Sequence, residues 1–81
     1  MFGLLTVAPN PSQGVFNLSA IQEEHYRNSG YAVYDSRGKR VLQAPWDGSE
    51  TKINLEGQPK GIYLLKVVNK SWSETIKIVV Q

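Results

Sequence analysis

The chain has 81 residues, no cysteine, 41% hydrophobic residues and a formal net charge of +2. That length holds one domain with one small core, and the absence of cysteine excludes disulfide staples, thiolate metal sites and cysteine nucleophiles. Lys and Arg are scattered rather than gathered in a stripe, which argues against a nucleic-acid binder.

Apolar residues alternate or run continuously in short segments punctuated by Gly, Pro, Asn and Asp, which predicts many short strands and no sustained helix. The first strand is expected over Phe2–Val7. The apolar stretch to Ala8 is far short of the ~20 residues of a membrane span, and it lacks the basic flank and cleavage site of a signal peptide. Met1 is read as an added start, with natural sequence missing upstream. Pro9 and Pro11 then forbid helix, since each forces extended geometry on its predecessor and cannot donate to a ladder. Gly14 turns the chain into a second strand, Val15–Ser19, with Phe16 and Leu18 on one face and Val15 and Asn17 on the other.

Ala20 to Ser29 is the most polar stretch, and either a crossover loop or one helical turn fits it. Asn28-Ser29-Gly30 reads as a turn into a third strand, Tyr31–Tyr34. Asp35-Ser36-Arg37-Gly38 fits a type I turn, with the Asp carboxylate capping a backbone amide and Gly supplying positive φ. The fourth strand is expected over Lys39–Gln43, followed by a loop Ala44-Pro45-Trp46-Asp47-Gly48 with Asp-Gly as its tight turn. Thr51–Leu55 is the fifth strand, with Ile53 and Leu55 sharing a face.

A turn with Pro59 second and Gly61 fourth leads to the sixth strand, Ile62–Val68. Its near-continuous apolar run predicts a central strand covered on both faces. Asn69-Lys70 is expected as a two-residue connection to the seventh strand, Ser71–Val80. There Trp72, Ile76, Ile78 and Val80 face inward while Ser73, Thr75 and Lys77 face water. Burying those four apolar side chains contributes roughly 6–12 kcal/mol before entropy. Seven short strands with turns every eight to twelve residues predict an all-β, antiparallel, immunoglobulin-like β-sandwich in a single domain. A small OB-type barrel is the second architecture considered.

Few residues point to chemistry. His25 is the sole histidine. With Glu23 and Glu24 it could bind a metal weakly, but the spacing matches no metal motif, so an exposed loop histidine is the preferred reading. No Gly-x-Ser-x-Gly elbow supports a Ser-His-Asp nucleophile, so the chain is read as non-catalytic, with no cofactor. Trp46, beside Asp47 and near Gln43, could stack on a sugar ring; packing at the sandwich rim is preferred. The basic run Arg37-Gly38-Lys39-Arg40 is read as a solvated hairpin tip, with contact to an anionic partner the lesser reading. Tyr31, Tyr34 and Arg37 are too weak a signal for nucleic acid.

Five pieces in order carry a resemblance: Ala8-Pro9-Asn10-Pro11-Ser12-Gln13-Gly14-Val15-Phe16, then Tyr34-Asp35-Ser36-Arg37-Gly38-Lys39-Arg40-Val41, then Ile53-Asn54-Leu55, then Pro59-Lys60-Gly61-Ile62-Tyr63-Leu64-Leu65-Lys66-Val67, and Lys77-Ile78-Val79-Val80-Gln81. Together they resemble the type A C-terminal sorting domain of the type IX secretion system. The resemblance implies a seven-stranded immunoglobulin-like sandwich, excised from a larger secreted protein. It implies a signal that takes an upstream cargo domain through the periplasm to the outer membrane, cell surface or extracellular space. The implied partners are the outer-membrane secretion translocon and a sortase-like peptidase that cleaves the domain and attaches the cargo to anionic lipopolysaccharide. The family pattern carries over to Pro9, Asn10, Pro11, Gly14, Tyr34, Asp35, Gly38, Gly61, Tyr63 and Lys77. Many members end in a basic residue where this chain has Val80-Gln81, and the stretch around Trp46 is unusual. An adhesion or carbohydrate-binding sandwich retained at the surface is the alternative. Exposed sandwich edges suggest a weak homodimer, and strand addition at the last strand is a further mode of engagement.

Overall fold

The computed structural model describes residues 4–81. Its elements follow the chain as β1 (Leu5–Ala8), β2 (Val15–Ala20), one 3₁₀ turn (Glu23–Tyr26), β3 (Ser29–Tyr34), β4 (Arg40–Trp46), β5 (Thr51–Asn54), β6 (Gly61–Val68) and β7 (Ser73–Val80). Phe2 and Gly3 of the predicted first strand lie outside the described residues.

The strands form two sheets, β1-β2-β5 and β4-β3-β6-β7, with every named pair antiparallel. This is the seven-stranded immunoglobulin-like sandwich expected; the sheets stay separate and do not close into a barrel. The period-2 pattern places Phe16, Leu18, Ile53 and Leu55 of the smaller sheet against Val33, Leu65, Val67 and Ile78 of the larger one. All of these are essentially removed from water, and such burial is the dominant favourable term for a small domain.

Five expectations need correction. β4 runs on through Ala44, Pro45 and Trp46, where a loop was expected. Pro45 is tolerated because β4 is an edge strand, paired only to β3. The hydrogen-bonded turn before β6 is Leu55–Gln58, with Gln58 N–H donating to Leu55 O at 3.0 Å, three residues earlier than expected. β3 starts at Ser29 rather than Tyr31, because Asn28 takes the left-handed conformation (φ 59°) that redirects the chain. The β6–β7 connection has four residues, Asn69 to Trp72: the Asn69 side chain accepts from Ser71 and Trp72 N–H, and Asn69 N–H closes on Trp72 O.

The fifth correction matters most for function. β6 is central in its sheet, but only Tyr63, Leu65 and Val67 face the core. Ile62, Leu64 and Val68 face solvent at 51%, 43% and 39% exposure. The apolar run reflects an apolar outer face, not cover on both sides.

Candidate functional site

The residues singled out by the family pattern fall in three places. The first is a strap. Asn10 lies beside the outer edge of β7, and its side-chain amide imitates a paired strand residue. Nδ2 donates to Lys77 O at 3.0 Å, and Oδ1 accepts from Val79 N–H at 3.1 Å. Ser12 continues the pairing: its N–H donates to Val79 O at 3.0 Å, and its O accepts from Gln81 N–H at 2.8 Å. Pro9 and Pro11 flank Asn10, each preceded by a cis peptide bond. Their rings remove donors that a strap over a strand edge has no use for. Ser12 is buried; its Oγ donates to Val15 O at 2.6 Å and accepts from Gly14 N–H at 3.0 Å. Gly14 O in turn accepts from Leu55 N–H at 2.7 Å, and a side chain at Gly14 would press on Glu56. The strap therefore ties the smaller sheet to the edge of the larger one.

Along a strand, N–H and C=O groups of alternate residues point to the same side. Because Lys77 O, Val79 N–H and O, and Gln81 N–H all meet the strap, the outward groups of β7 beyond it belong to Ser73, Thr75 and the Lys77 N–H. That remaining edge, Ser73–Lys77, is five residues long, so it leaves room for a short added strand on the first part of β7 only.

The second place is the β3–β4 turn and its neighbour. Asp35 Oδ1 accepts from Arg37 and Lys39 N–H, both at 2.9 Å, and Gly38 N–H donates to Asp35 O at 3.0 Å. Gly38 has φ 86°, which is why glycine belongs there. The Lys39 backbone amide, helped by that of Arg37 and by both positive side chains, holds the Asp35 carboxyl below its ordinary range. This turn and the segment before β6 enclose a polar cleft of about 290 Å³ lined by Asp35, Arg37, Lys39, Pro59, Gly61 and Tyr63. The Tyr63 ring is buried, and its hydroxyl donates to Pro59 O, which pins that segment down.

The third place is the outer face of the larger sheet. Tyr34 pairs with Arg40 on one side and Leu64 on the other, and Leu64 pairs with Lys77. Tyr34 and Lys77, 43 positions apart in sequence, thus share one cross-strand row, Arg40–Tyr34–Leu64–Lys77.

Residues considered for other chemistry are structural. Trp46 is 5% exposed, and its Nε1 donates to Ser49 O at 2.7 Å, so neither ring face is open to a sugar. His25 is not a freely exposed loop residue: its ring is half-buried and stacks on Trp72 with centroids 5.1 Å apart and planes within 4°. No cluster of three or more His, Cys, Asp or Glu suited to a metal occurs among the described residues. Tyr26, which nothing in its polar stretch marks as core, is fully buried against Trp46 and Trp72. Its hydroxyl donates to Glu74 Oε1 at 2.7 Å. Burial first, and the Glu74 carboxylate second, push its ionisation well above the ordinary tyrosine value.

Comparison with known proteins agrees with this picture. A family model described as "Secretion system C-terminal sorting domain" matches residues 6–81. No curated protein sequence matches the chain. Among solved structures, one similar fold lies in PorZ, a bacterial surface component of the type IX secretion system of Porphyromonas gingivalis. The TM-score is 0.74 at 21% identity, over 93% of this chain and 11% of that one. The likeness is one of fold, and the chain spans about a tenth of that protein's length.

Proposed function

Because the chain belongs to the family of type IX secretion-system C-terminal sorting domains, we propose that it is a non-catalytic address. In this reading it directs a cargo domain joined upstream through the periplasm and across the outer membrane by the type IX translocon. A sortase-like peptidase then removes it as the cargo is attached at the cell surface. The observation that supports this reading is the family match over residues 6–81, joined to where the matching residues sit. Asn10 and Lys77, from the first and last motif pieces, meet at the strap. Asp35, Gly61 and Tyr63 meet around one cleft. A linear tag needs no such convergence; a signal read as a folded surface does.

The test is fusion of the chain to a folded periplasmic reporter in a host with the type IX machine and in one lacking its translocon. The reporter is expected at the surface or in the medium of the first host and in the periplasm of the second. Its mass at the surface reports removal of the domain. Periplasmic retention of a folded fusion in the competent host refutes the proposal. A surface reporter that still carries the domain refutes only the cleavage step.

A further inference from the structure

The seven acidic residues are Glu23, Glu24, Asp35, Asp47, Glu50, Glu56 and Glu74. All but Glu74 lie outside the strands, and Glu74 is on the inward-facing set of β7, hydrogen-bonded to Tyr26. The strands of β4-β3-β6-β7 therefore put no carboxylate on their outer face; Asp35 borders it, lining the cleft at its Ile62 end. The face carries Arg40, Lys66 and Lys77, one each on β4, β6 and β7. Tyr34 and Leu64 lie between Arg40 and Lys77, and Ile62 and Val68 stand towards the two ends of β6. By contrast, the outward residues of β1, β2 and β5 include Asn17, Ser19, Lys52 and Asn54, and the exposed Ile21 stands singly just past the end of β2.

Exposed apolar side chains interspersed with a single sign of charge mark an interaction surface. Resting on the sorting reading above, we infer that this face is the docking surface for a protein of the export machinery whose complementary surface is apolar and rimmed by carboxylates. A second copy of the chain does not fit, because two such faces would oppose like charges. An anionic membrane fits less well than a protein. Ile62, Leu64 and Val68 are only 39–51% exposed, so none offers a fully open apolar side chain for insertion. Arg40 and Lys77 stand at opposite ends of one row, about 14 Å apart at ~4.8 Å per strand, a fixed spacing that fixed carboxylates answer. The eight residues of β6 span about 26 Å. A face of roughly 14 by 26 Å, about 360 Å² on one partner, falls below the ~800 Å² a side of a standard specific interface and suits a weak, transient contact. Transience suits a signal that must be released.

The test uses the reporter fusion in the competent host. The variant Lys66→Glu with Lys77→Glu is compared with Lys52→Glu on the opposite sheet, and thermal unfolding checks that both remain folded. Export is expected to fall at least tenfold in the first and to stay within twofold of wild type in the second. A photo-crosslinking benzoylphenylalanine at Leu64 is expected to give a protein adduct during export, whereas one at Asn17 gives none. Export at the wild-type level by Lys66→Glu with Lys77→Glu overturns the inference and leaves the sorting reading intact. So does the absence of any protein adduct at Leu64. Cosedimentation of the domain with phosphatidylglycerol vesicles, lost in the double variant, overturns the protein assignment in favour of a membrane. Retention of the wild-type fusion overturns the sorting reading, and this inference with it.

Discussion

Replacing Asn10 by Ala removes a side chain and nothing else, and the structure makes its effect calculable. Two hydrogen bonds are lost, to Lys77 O and from Val79 N–H. Each contributes about 0.5–1.5 kcal/mol net, and at an exposed edge water replaces part of it, so the loss is about 1–2 kcal/mol. An 81-residue domain unfolds with an entropy of about 170 cal/mol/K at its midpoint, so that loss lowers Tm by about 6–12 °C. The Val79 amide should also exchange with solvent far faster, while amides of β3, central in the sheet, keep their relative protection. Thermal unfolding followed by circular dichroism and amide exchange followed by NMR read both effects. The variant Asn10→Asp keeps the acceptor for Val79 but loses the donor and sets a carboxylate against the Lys77 carbonyl, so it should not rescue. A Tm change under about 2 °C with an unchanged Val79 exchange rate refutes the reasoning: the strap would then be resting on β7, not holding it.

Three further outcomes follow from the packing. Deleting Ile76 to Gln81 removes Ile76, Ile78 and Val80 from the core, about 5–9 kcal/mol of burial. The whole stability of 81 residues is about 4–12 kcal/mol. The truncated chain should therefore lose NMR dispersion, and a dispersed spectrum counts against the ledger. Gly38→Ala and Gly48→Ala both put a side chain at positive φ, but only the second meets an obstacle: a Cβ at Gly48 would lie 2.5 Å from Glu23 O, whereas nothing lies within 4 Å at Gly38. Gly38→Ala should cost about 1 kcal/mol and Gly48→Ala several, measured by urea unfolding; equal effects are inconsistent with this geometry. Tyr26→Phe removes the hydroxyl bonded to Glu74 and should cost about 1–2 kcal/mol at neutral pH. Because the folded state holds the Tyr26 proton above the ordinary value, the stability Tyr26 contributes is constant below about pH 10 and is lost as pH rises beyond it. In Tyr26→Phe that alkaline fall should be shallower, retaining the contribution of Tyr31, whose ionisation is also raised by burial.

What the sequence revealed and what it hid divide along the range of the forces involved. The alternation of β7, the shared face of Phe16 and Leu18, and the Asp35–Gly38 turn are local, and each sits where its pattern placed it. Pro45 is a local breaker overruled by position, since an edge strand has one side that needs no donor. The apolar run of β6 was ambiguous in principle, because hydrophobicity records what a side chain prefers and not whether something covers it. Tyr26 is buried only because a single 3₁₀ turn carries it against Trp46 and Trp72. Asn10 bonds across 67 and 69 positions, a range no periodicity reaches. Ser12 could have been found: a serine two residues before Gly14 fits a side-chain-to-backbone turn, and that is one of the bonds its hydroxyl makes.

These distances separate two roles that a motif alone merges. Asn10, Ser12, Gly14, Asp35 and Gly38 spend their hydrogen-bonding groups inside the domain, on the β7 edge and on turns. A translocon would find little of them left to read. Lys77 is the link between the two sets: its carbonyl is held by Asn10 while its side chain stands on the carboxylate-free face beside Leu64. Substituting the strap residues and substituting the face should therefore impair export in different ways. Strap variants should lose export in proportion to lost stability and regain it at lower temperature. Face variants should lose export at full stability and regain nothing on cooling. Measuring export of Asn10→Ala and of Lys66→Glu with Lys77→Glu at two growth temperatures separates the cases. If cooling restores both equally, the face acts only through folding, and the division drawn here between the residues that build the signal and those that present it collapses.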